Sequence, residues 1–324
     1  MRRHGDEITL AHLVDAGFDR LDRPGSGATL ARWRSLADVA AIDLALVKLF
    51  EGHTDALAII DELRGGPVPA GSRWGTWCAE PPSARLTFDP LGDLAAGQRV
   101  RVSGTKSWCS GASQVTHAVV SGWSPDGAPC LVTIEMDQRG IEVTGEGWQA
   151  VGMRDSASVD VRFDAADAVL LGAPGSYTAR PGFWQGGAGI AACWYGGALG
   201  IAQKVRESSS SSRDPHRLAH LGAIDVALVA AGAALREAAA WIDQQPEADA
   251  MAVALRARLI VEQACSEVVS HAGRAVGAAP LCRDRDFARA MADLPVYLRQ
   301  SHAERDLAAL GERIAQESST PWML

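Results

Sequence analysis

A tryptophan and a serine two positions apart are the side chains best suited to hold a flat ring. Trp108 and Ser110 lie in Gly104-Thr105-Lys106-Ser107-Trp108-Cys109-Ser110-Gly111. Residues i and i+2 of a strand share a face. The indole is therefore expected to pack against a ring while the hydroxyl donates at its polar edge. Taken alone, the spacing also suits a core tryptophan beside a strand serine.

Other side chains with chemical capacity are scattered along the chain. Glu80 lies in Trp77-Cys78-Ala79-Glu80-Pro81-Pro82-Ser83-Ala84, where it is either a site carboxylate or a turn carboxylate. Arg213 follows the serine run Ser208 to Ser212, a low-complexity connector expected to be a loop. His271-Ala272-Gly273-Arg274-Ala275-Val276-Gly277 is a glycine-bearing segment at a helix end, and a helix stop at Gly273 is its simplest reading. Ser301, His302 and Glu304 stand close together near the C-terminus. His302 is a possible base near neutral pH, and Glu304 with its charged neighbours also suits a solvated face.

The elements that must position these groups change texture along the chain. Residues 29–64 are rich in Ala and Leu at helical spacing, as in Leu36, Val39, Leu44 and Val47. Gly65-Gly66-Pro67 ends that pattern. From Trp74 to about Gly172, short β-branched runs alternate with turn residues, which predicts an antiparallel sheet or small barrel. Ser124-Pro125-Asp126-Gly127 predicts a hairpin turn. Beyond Phe183 the chain is Ala-rich, and helices are expected near 184–206, 215–243, 248–272 and 284–316.

Bulk composition narrows the function classes. The 324 residues, 47% of them apolar, are enough for two or three core-bearing units. A formal charge of −8 carries no nucleic-acid footprint. None of the six cysteines forms a Cys-x-x-Cys pair, so no metal site is expected. No uninterrupted apolar run of eighteen residues and no secretory leader is evident, so no membrane association and a reducing cytoplasm are expected.

The motifs also occur in a telling order. The Gly104–Gly111 segment is followed by Gly152-Met153-Arg154-Asp155-Ser156, by Val159-Asp160-Val161-Arg162-Phe163-Asp164, and by Leu170-Leu171-Gly172. This order resembles the middle domain of the acyl-CoA dehydrogenase family of flavoproteins. The resemblance implies an α+β architecture: a short N-terminal helical region over 1–70, a middle antiparallel β-domain over 71–175, and a C-terminal four-helix bundle over 184–318. It implies FAD as cofactor, with Trp108 on the flavin face and Ser110 at its edge. Glu80 and Pro81 match the family's Thr-Glu-Pro segment, with Ala79 in place of the threonine that meets the pyrimidine edge. It also implies a homodimer or homotetramer, in which Arg213 and the turn marked by Gly273 and Gly277 reach a neighbouring subunit's FAD.

By that resemblance the chemistry is oxidation of an acyl-CoA or related small molecule, but the base departs from the pattern. Ser301 falls where the family places its catalytic glutamate. The alternative position lies near Ile190, and no carboxylate is close by. Losing a general base typically costs roughly 10²–10⁴ in rate. His302 and Glu304 are the nearest substitutes, and the Ser301 N–H is suited to polarise a carbonyl. Two further readings on the same fold need no base here. One is the family's flavin monooxygenase or oxidase branch. The other is a non-catalytic subunit completing the site of a homologous partner chain.

Overall fold

The structure is a computed structural model describing residues 8–81, 84–318 and 322. Pro82 and Ser83, part of the segment read around Glu80, lie outside the described residues. The chain divides into two compact units. One comprises 1–22, 45–150 and 154–183, and the other comprises 23–44, 151–153 and 184–324.

The first unit is built on seven strands: β1 (Trp74–Trp77), β2 (Leu86–Pro90), β3 (Arg99–Cys109), β4 (His117–Trp123), β5 (Pro129–Glu135), β6 (Ile141–Val143) and β7 (Val159–Leu170). Helix α1 (Leu10–Asp15), nearly all of α3 (Leu44–Glu62) and the single turn α4 (Ser176–Ala179) complete it. Pairing runs β4–β2–β3–β7–β5 and returns from β5 to β4, so the sheet closes on itself, with β6 added on β7. Each of these five strands thus has a neighbour on both sides, although β2 meets β4 only at Thr87↔Trp123. The expected antiparallel sheet or small barrel forms, with two parallel pairings added to it. β1 runs parallel to β4 from Trp74↔His117 to Trp77↔Val120, and β2 meets β4 in parallel at Thr87↔Trp123. β1 and β2 thus share one edge of β4, which an alternation pattern cannot reveal.

Burial explains the strand sequences. β4 reads His-Ala-Val-Val-Ser-Gly-Trp, and its five inner residues are all buried. α3 covers the sheet: Ala56, Ile59 and Ile60 pack with Trp74, Val119, Leu131 and Leu171. The Ser124–Gly127 turn forms as expected, its Gly127 N–H donating to the Ser124 carbonyl at 2.9 Å.

The second unit is helical: α2 (Thr29–Ile42), α5 (Gly182–Ser209, from Trp184 on), α6 (Pro215–Gln244), α7 (Met251–Val276), α8 (Ala278–Arg283), α9 (Arg285–Tyr297) and α10 (Glu304–Ala315). α2 and α5 approach closely at Gly196, where a Cβ would run into the Ala37 backbone. α5 continues to Ser209 and absorbs the start of the serine run. α6 is long and apolar enough to cross a membrane by length and composition alone, although Asp225, Arg236 and Glu237 interrupt its apolar residues. One side of it, including Ile224, Leu228, Ala231, Leu235 and Ile242, is buried within the unit.

Two helix expectations fail. The helix expected over 284–316 is broken: Leu298–Gln300 tightens to a 3₁₀ turn, Ser301 is extended (φ −71°, ψ 140°), and Ala303 has φ 44°. Side chains stabilise the break. The Ser301 hydroxyl accepts the Ala303 N–H at 3.2 Å, and the Asp306 carboxylate accepts the His302 N–H at 3.2 Å. Gly273 does not stop α7, which runs on to Val276. The stop is Gly277, at φ 68°, a conformation glycine adopts without steric cost.

Candidate flavin site

The C-terminal end of β3 is the centre of the candidate site. Pairing of β3 with β7 slips between Lys106↔Val161 and Cys109↔Val159, a bulge that puts Trp108 in the left-handed region at φ 60°. Such a conformation costs a non-glycine residue roughly 1–2 kcal/mol. The bulge leaves the Trp108 indole 51% exposed. The expected alternation therefore does not hold: the strand ends at Cys109, and Ser110 lies in the turn beyond it. There the Ser110 N–H donates to the Trp108 carbonyl at 2.9 Å. The two residues are neighbours because of a turn, not because of strand pleat.

Ser110 belongs to a chain of hydroxyls. Its Oγ is 2.7 Å from Ser158 Oγ, which is 2.9 Å from Ser156 Oγ. Ser156 and Ser158 are buried and Ser110 is half-buried. Each hydroxyl both donates and accepts, so the chain can reverse direction without moving heavy atoms. Its frame is rigid: the Gly111 N–H donates to the Ser156 carbonyl at 2.8 Å, and Trp77 Nε1 donates to the Ser110 carbonyl at 3.2 Å. Ser158 was missed in the sequence because it contacts Ser110 only through β3–β7 pairing. The nearby Cys109 thiol is buried, and burial holds its pKa far above the ordinary range.

Behind this end of β3 lies a buried ion pair. The Lys106 ammonium is fully buried and 2.6 Å from Glu80. It also donates at 2.9 Å to both the carbonyl and the hydroxyl of Ser121. Glu80 further accepts from Trp123 Nε1 at 3.0 Å and from the Ser121 hydroxyl. Its carboxylate thus ties β3 to β4. Ala79, next to it, is exposed and offers only backbone polar groups.

The remaining sequence-derived residues lie in the second unit. Arg213 is exposed in the α5–α6 connection and forms no ion pair among the described residues. Gly273 is half-buried within α7, and Gly277 is exposed beyond it. On the same pair of helices, His220 and His271 face each other with Nδ1 atoms 2.9 Å apart, a contact invisible in the sequence. Ser301 is buried with its hydroxyl engaged, as described above. The His302 side chain is 65% exposed, with Nδ1 3.4 Å from Asp306. Glu304 is exposed in the first turn of α10.

One buried cation links two backbone segments, one near Ile190 and one next to Ser301. Arg258 donates to the Gly187 carbonyl at 2.7 Å and to the Gln300 carbonyl at 3.1 Å, and its guanidinium lies 4.9 Å from the centre of the Trp194 ring. The α5 turn leading to Ile190 and the 3₁₀ turn leading to Ser301 are therefore both held by Arg258, and neither Ile190 nor Ser301 is a carboxylate. Among the described residues, no group of three His, Cys, Asp or Glu side chains is placed to hold a metal ion.

Comparison with known proteins separates fold from sequence. No protein-family model matches the chain. No curated protein matches it. Solved structures match over almost the whole length. Dibenzothiophene monooxygenase TdsC from Paenibacillus sp. A11-2 is 21% identical, with 96% of this chain and 90% of that chain covered and a TM-score of 0.78. A complex of TdsC with FMN and indole reaches 0.80. Methanesulfinate monooxygenase MsuC from Pseudomonas fluorescens is 21% identical, covers 95% and 89%, and has a TM-score of 0.79. This chain has the acyl-CoA dehydrogenase-like fold. The 3-HSA hydroxylase of Rhodococcus sp. RHA1 shares it at 18% identity, with 95% and 89% covered and a TM-score of 0.74.

Proposed function

We propose that this chain is a flavin-dependent monooxygenase acting on a small organic molecule. The observation that carries the reading is the residue type at the two positions to which the resemblance assigns the base. A dehydrogenase needs a carboxylate at one of them to remove a proton from its thioester substrate, and here they hold Ser301 and Ile190. Oxygen insertion needs no such base. The structural neighbours TdsC, MsuC and the 3-HSA hydroxylase, oxygenases by name, support the same reading.

The chain's own residues fit a flavin. Trp108 presents an indole face that is held exposed against backbone preference, and Ser110 sets a half-buried hydroxyl beside it. FMN rather than FAD is the cofactor favoured, because TdsC and the sugar-binding neighbour KijD3 hold FMN. Bound and reduced, a flavin supplies two electrons to dioxygen, so that one oxygen atom enters the substrate and the other leaves as water. In this reading Trp108 covers the ring, and Ser110 hydrogen-bonds its edge with Ser158 and Ser156 behind it. Arg213 of a second copy serves the phosphate by charge-assisted hydrogen bonding. The six thiols are all free, which suits a reducing cytoplasm.

The test is a reconstitution. Protein loaded with FMN or FAD is reduced anaerobically and mixed with oxygen and a panel of aromatic and sulfur compounds. The expected result is tighter retention of FMN and conversion of a panel member to a product heavier by one oxygen atom. Anaerobic bleaching of the oxidised flavin by a saturated acyl-CoA would sink the proposal in favour of dehydrogenation.

A further inference from the structure

His220 and His271 form a pair that the candidate flavin site does not use. His220 stands in the second turn of α6, and His271 in the penultimate turn of α7. Both are half-buried. Their Nδ1 atoms are 2.9 Å apart, whereas the ring centres are 5.2 Å apart and the planes tilt by 50°. The rings therefore meet at their nitrogen edges, not face to face. A neutral imidazole carries one N–H and one lone pair. A direct bond between two Nδ1 atoms thus needs one ring protonated at Nδ1 and the other at Nε2. With both protons on Nε2, two lone pairs point into the same gap and repel each other unless a cation lies between them.

A gap between two imidazoles suits a transition-metal ion, and its width selects the geometry. Metal–nitrogen bonds of about 2.0 Å set two neighbouring nitrogens about 2.8 Å apart at a right angle and about 3.3 Å apart at the tetrahedral angle. The 2.9 Å seen here matches the right angle, as in tetragonal Cu(II) and Ni(II). Zinc would require the rings to part by about 0.4 Å. Both ligands stand on long helices that pack directly against each other, so the gap is held by rigid elements. Among the described residues, no Asp, Glu, Cys or further His completes a third position, so water fills the rest of the shell.

We infer that His220 and His271 form a two-imidazole site for a tetragonal divalent ion, Cu(II) or Ni(II), which staples the start of α6 to the end of α7. Two metal–nitrogen bonds replace the one hydrogen bond. The Nδ1 proton of the donating ring passes through solvent to its own Nε2, so both rings stay neutral. The staple fixes the two helices where the Arg213 connection enters α6 and where Gly277 ends α7. The two histidines are 51 positions apart, so no ligand spacing in the sequence announces the site.

Calorimetric titration of the chelator-treated full chain with nickel chloride tests this, with the paramagnetic resonance spectrum of the Cu(II)-loaded protein as a second readout. The wild type is expected to take up about one equivalent of Ni(II), and its melting midpoint to rise by about 5 °C at a hundredfold excess over the dissociation constant. The Cu(II) spectrum is expected to show two imidazole nitrogens. His220→Ala and His271→Ala are each expected to weaken binding at least about tenfold and to cancel the melting rise, because even a group behind a metal ligand is worth that much. His216→Ala, an exposed histidine one turn earlier on α6, is expected to change neither readout. No Ni(II) uptake by the wild type, a Cu(II) spectrum with fewer than two imidazole nitrogens, or equal uptake by the wild type and both alanine variants would overturn the proposal, the last in favour of adventitious ions on surface histidines. Should either alanine variant lose its helical circular dichroism, the wild-type Cu(II) spectrum decides.

Discussion

Lys106 and Glu80 meet at 2.6 Å, with the ammonium fully buried and the carboxylate 27% exposed. The carboxylate is the counter-charge that allows a lysine to be buried two residues before Trp108 on β3. The same residue pair ties β3 to the segment after β1, so it sets the backbone from which the indole projects.

Glu80→Gln should therefore destabilise the first unit. Removing one partner leaves a buried charge uncompensated, at about 2–4 kcal/mol here given the partial exposure of Glu80. The double change Glu80→Gln with Lys106→Met should recover much of that loss, because no charge is then buried. Urea denaturation of the three proteins checks both statements. A single variant as stable as wild type would show that water already solvates the ammonium.

Trp108 separates stability from function. Trp108→Ala and Trp108→Gly both remove the indole, so both should lose flavin. Glycine accepts φ 60° without strain, so Trp108→Gly should be more stable than Trp108→Ala by about 1 kcal/mol. Flavin occupancy after desalting and thermal melts provide the two readouts. Full occupancy in either variant would remove Trp108 from the cofactor site.

The hydroxyl chain makes a narrower claim. Ser158→Ala cuts both of its links and should cost about 1–2 kcal/mol in stability, since Ser156 is buried and keeps fewer partners. In the reconstituted protein it should also shift the flavin absorption bands, through the altered orientation of the Ser110 hydroxyl. A spectrum identical to wild type would mean that Ser110 does not address the flavin edge.

Asp293 gives a pH signature. It accepts the Met153 N–H and lies 3.3 Å from Arg289 Nε. Burial raises its pKa, and the Asp43 carboxylate adds to the rise, while the Met153 N–H and Arg289 oppose it. A carboxyl raised on folding ionises first in the unfolded chain. Its contribution to stability is complete below the unfolded value of about 3.9 and is lost as pH climbs through the folded value. Asp293→Asn should flatten that decline, and denaturation midpoints measured upward from about pH 4 would show it. An unaltered pH profile would assign the decline to other groups.

His302 is the sequence-derived base most open to solvent. His302→Ala should leave oxygenation within about twofold, because a side chain this exposed and held by Asp306 shapes little of an enclosed site. Ser301→Glu should destabilise the helical unit without creating dehydrogenase activity, since it removes the hydroxyl that accepts the Ala303 N–H and buries a carboxylate. Bleaching by acyl-CoA gained in Ser301→Glu would restore the dehydrogenase geometry at that position.

The sequence by itself determined what is local. Alternating β-branched runs specified the sheet, Ser124–Gly127 specified a hairpin, and Ala-rich periodicity specified the helices, because each pattern depends only on neighbours within a few residues. The absence of a carboxylate at Ser301 and Ile190 was also legible, since a residue type needs no coordinates. Only the tertiary structure decided the rest. The bulge that exposes Trp108 arises from the register of β3 against β7, and Ser158 meets Ser110 across that same pairing. Lys106 became a buried cation because Glu80 and Ser121 converge on it from separate segments, and Trp123 in turn donates to Glu80. The expected last helix broke at Ser301, where side-chain hydrogen bonds to the backbone outcompete helical ones. Apart from that local break, these are contacts between residues far apart in the chain, and no periodicity within one segment encodes which partner another segment will bring.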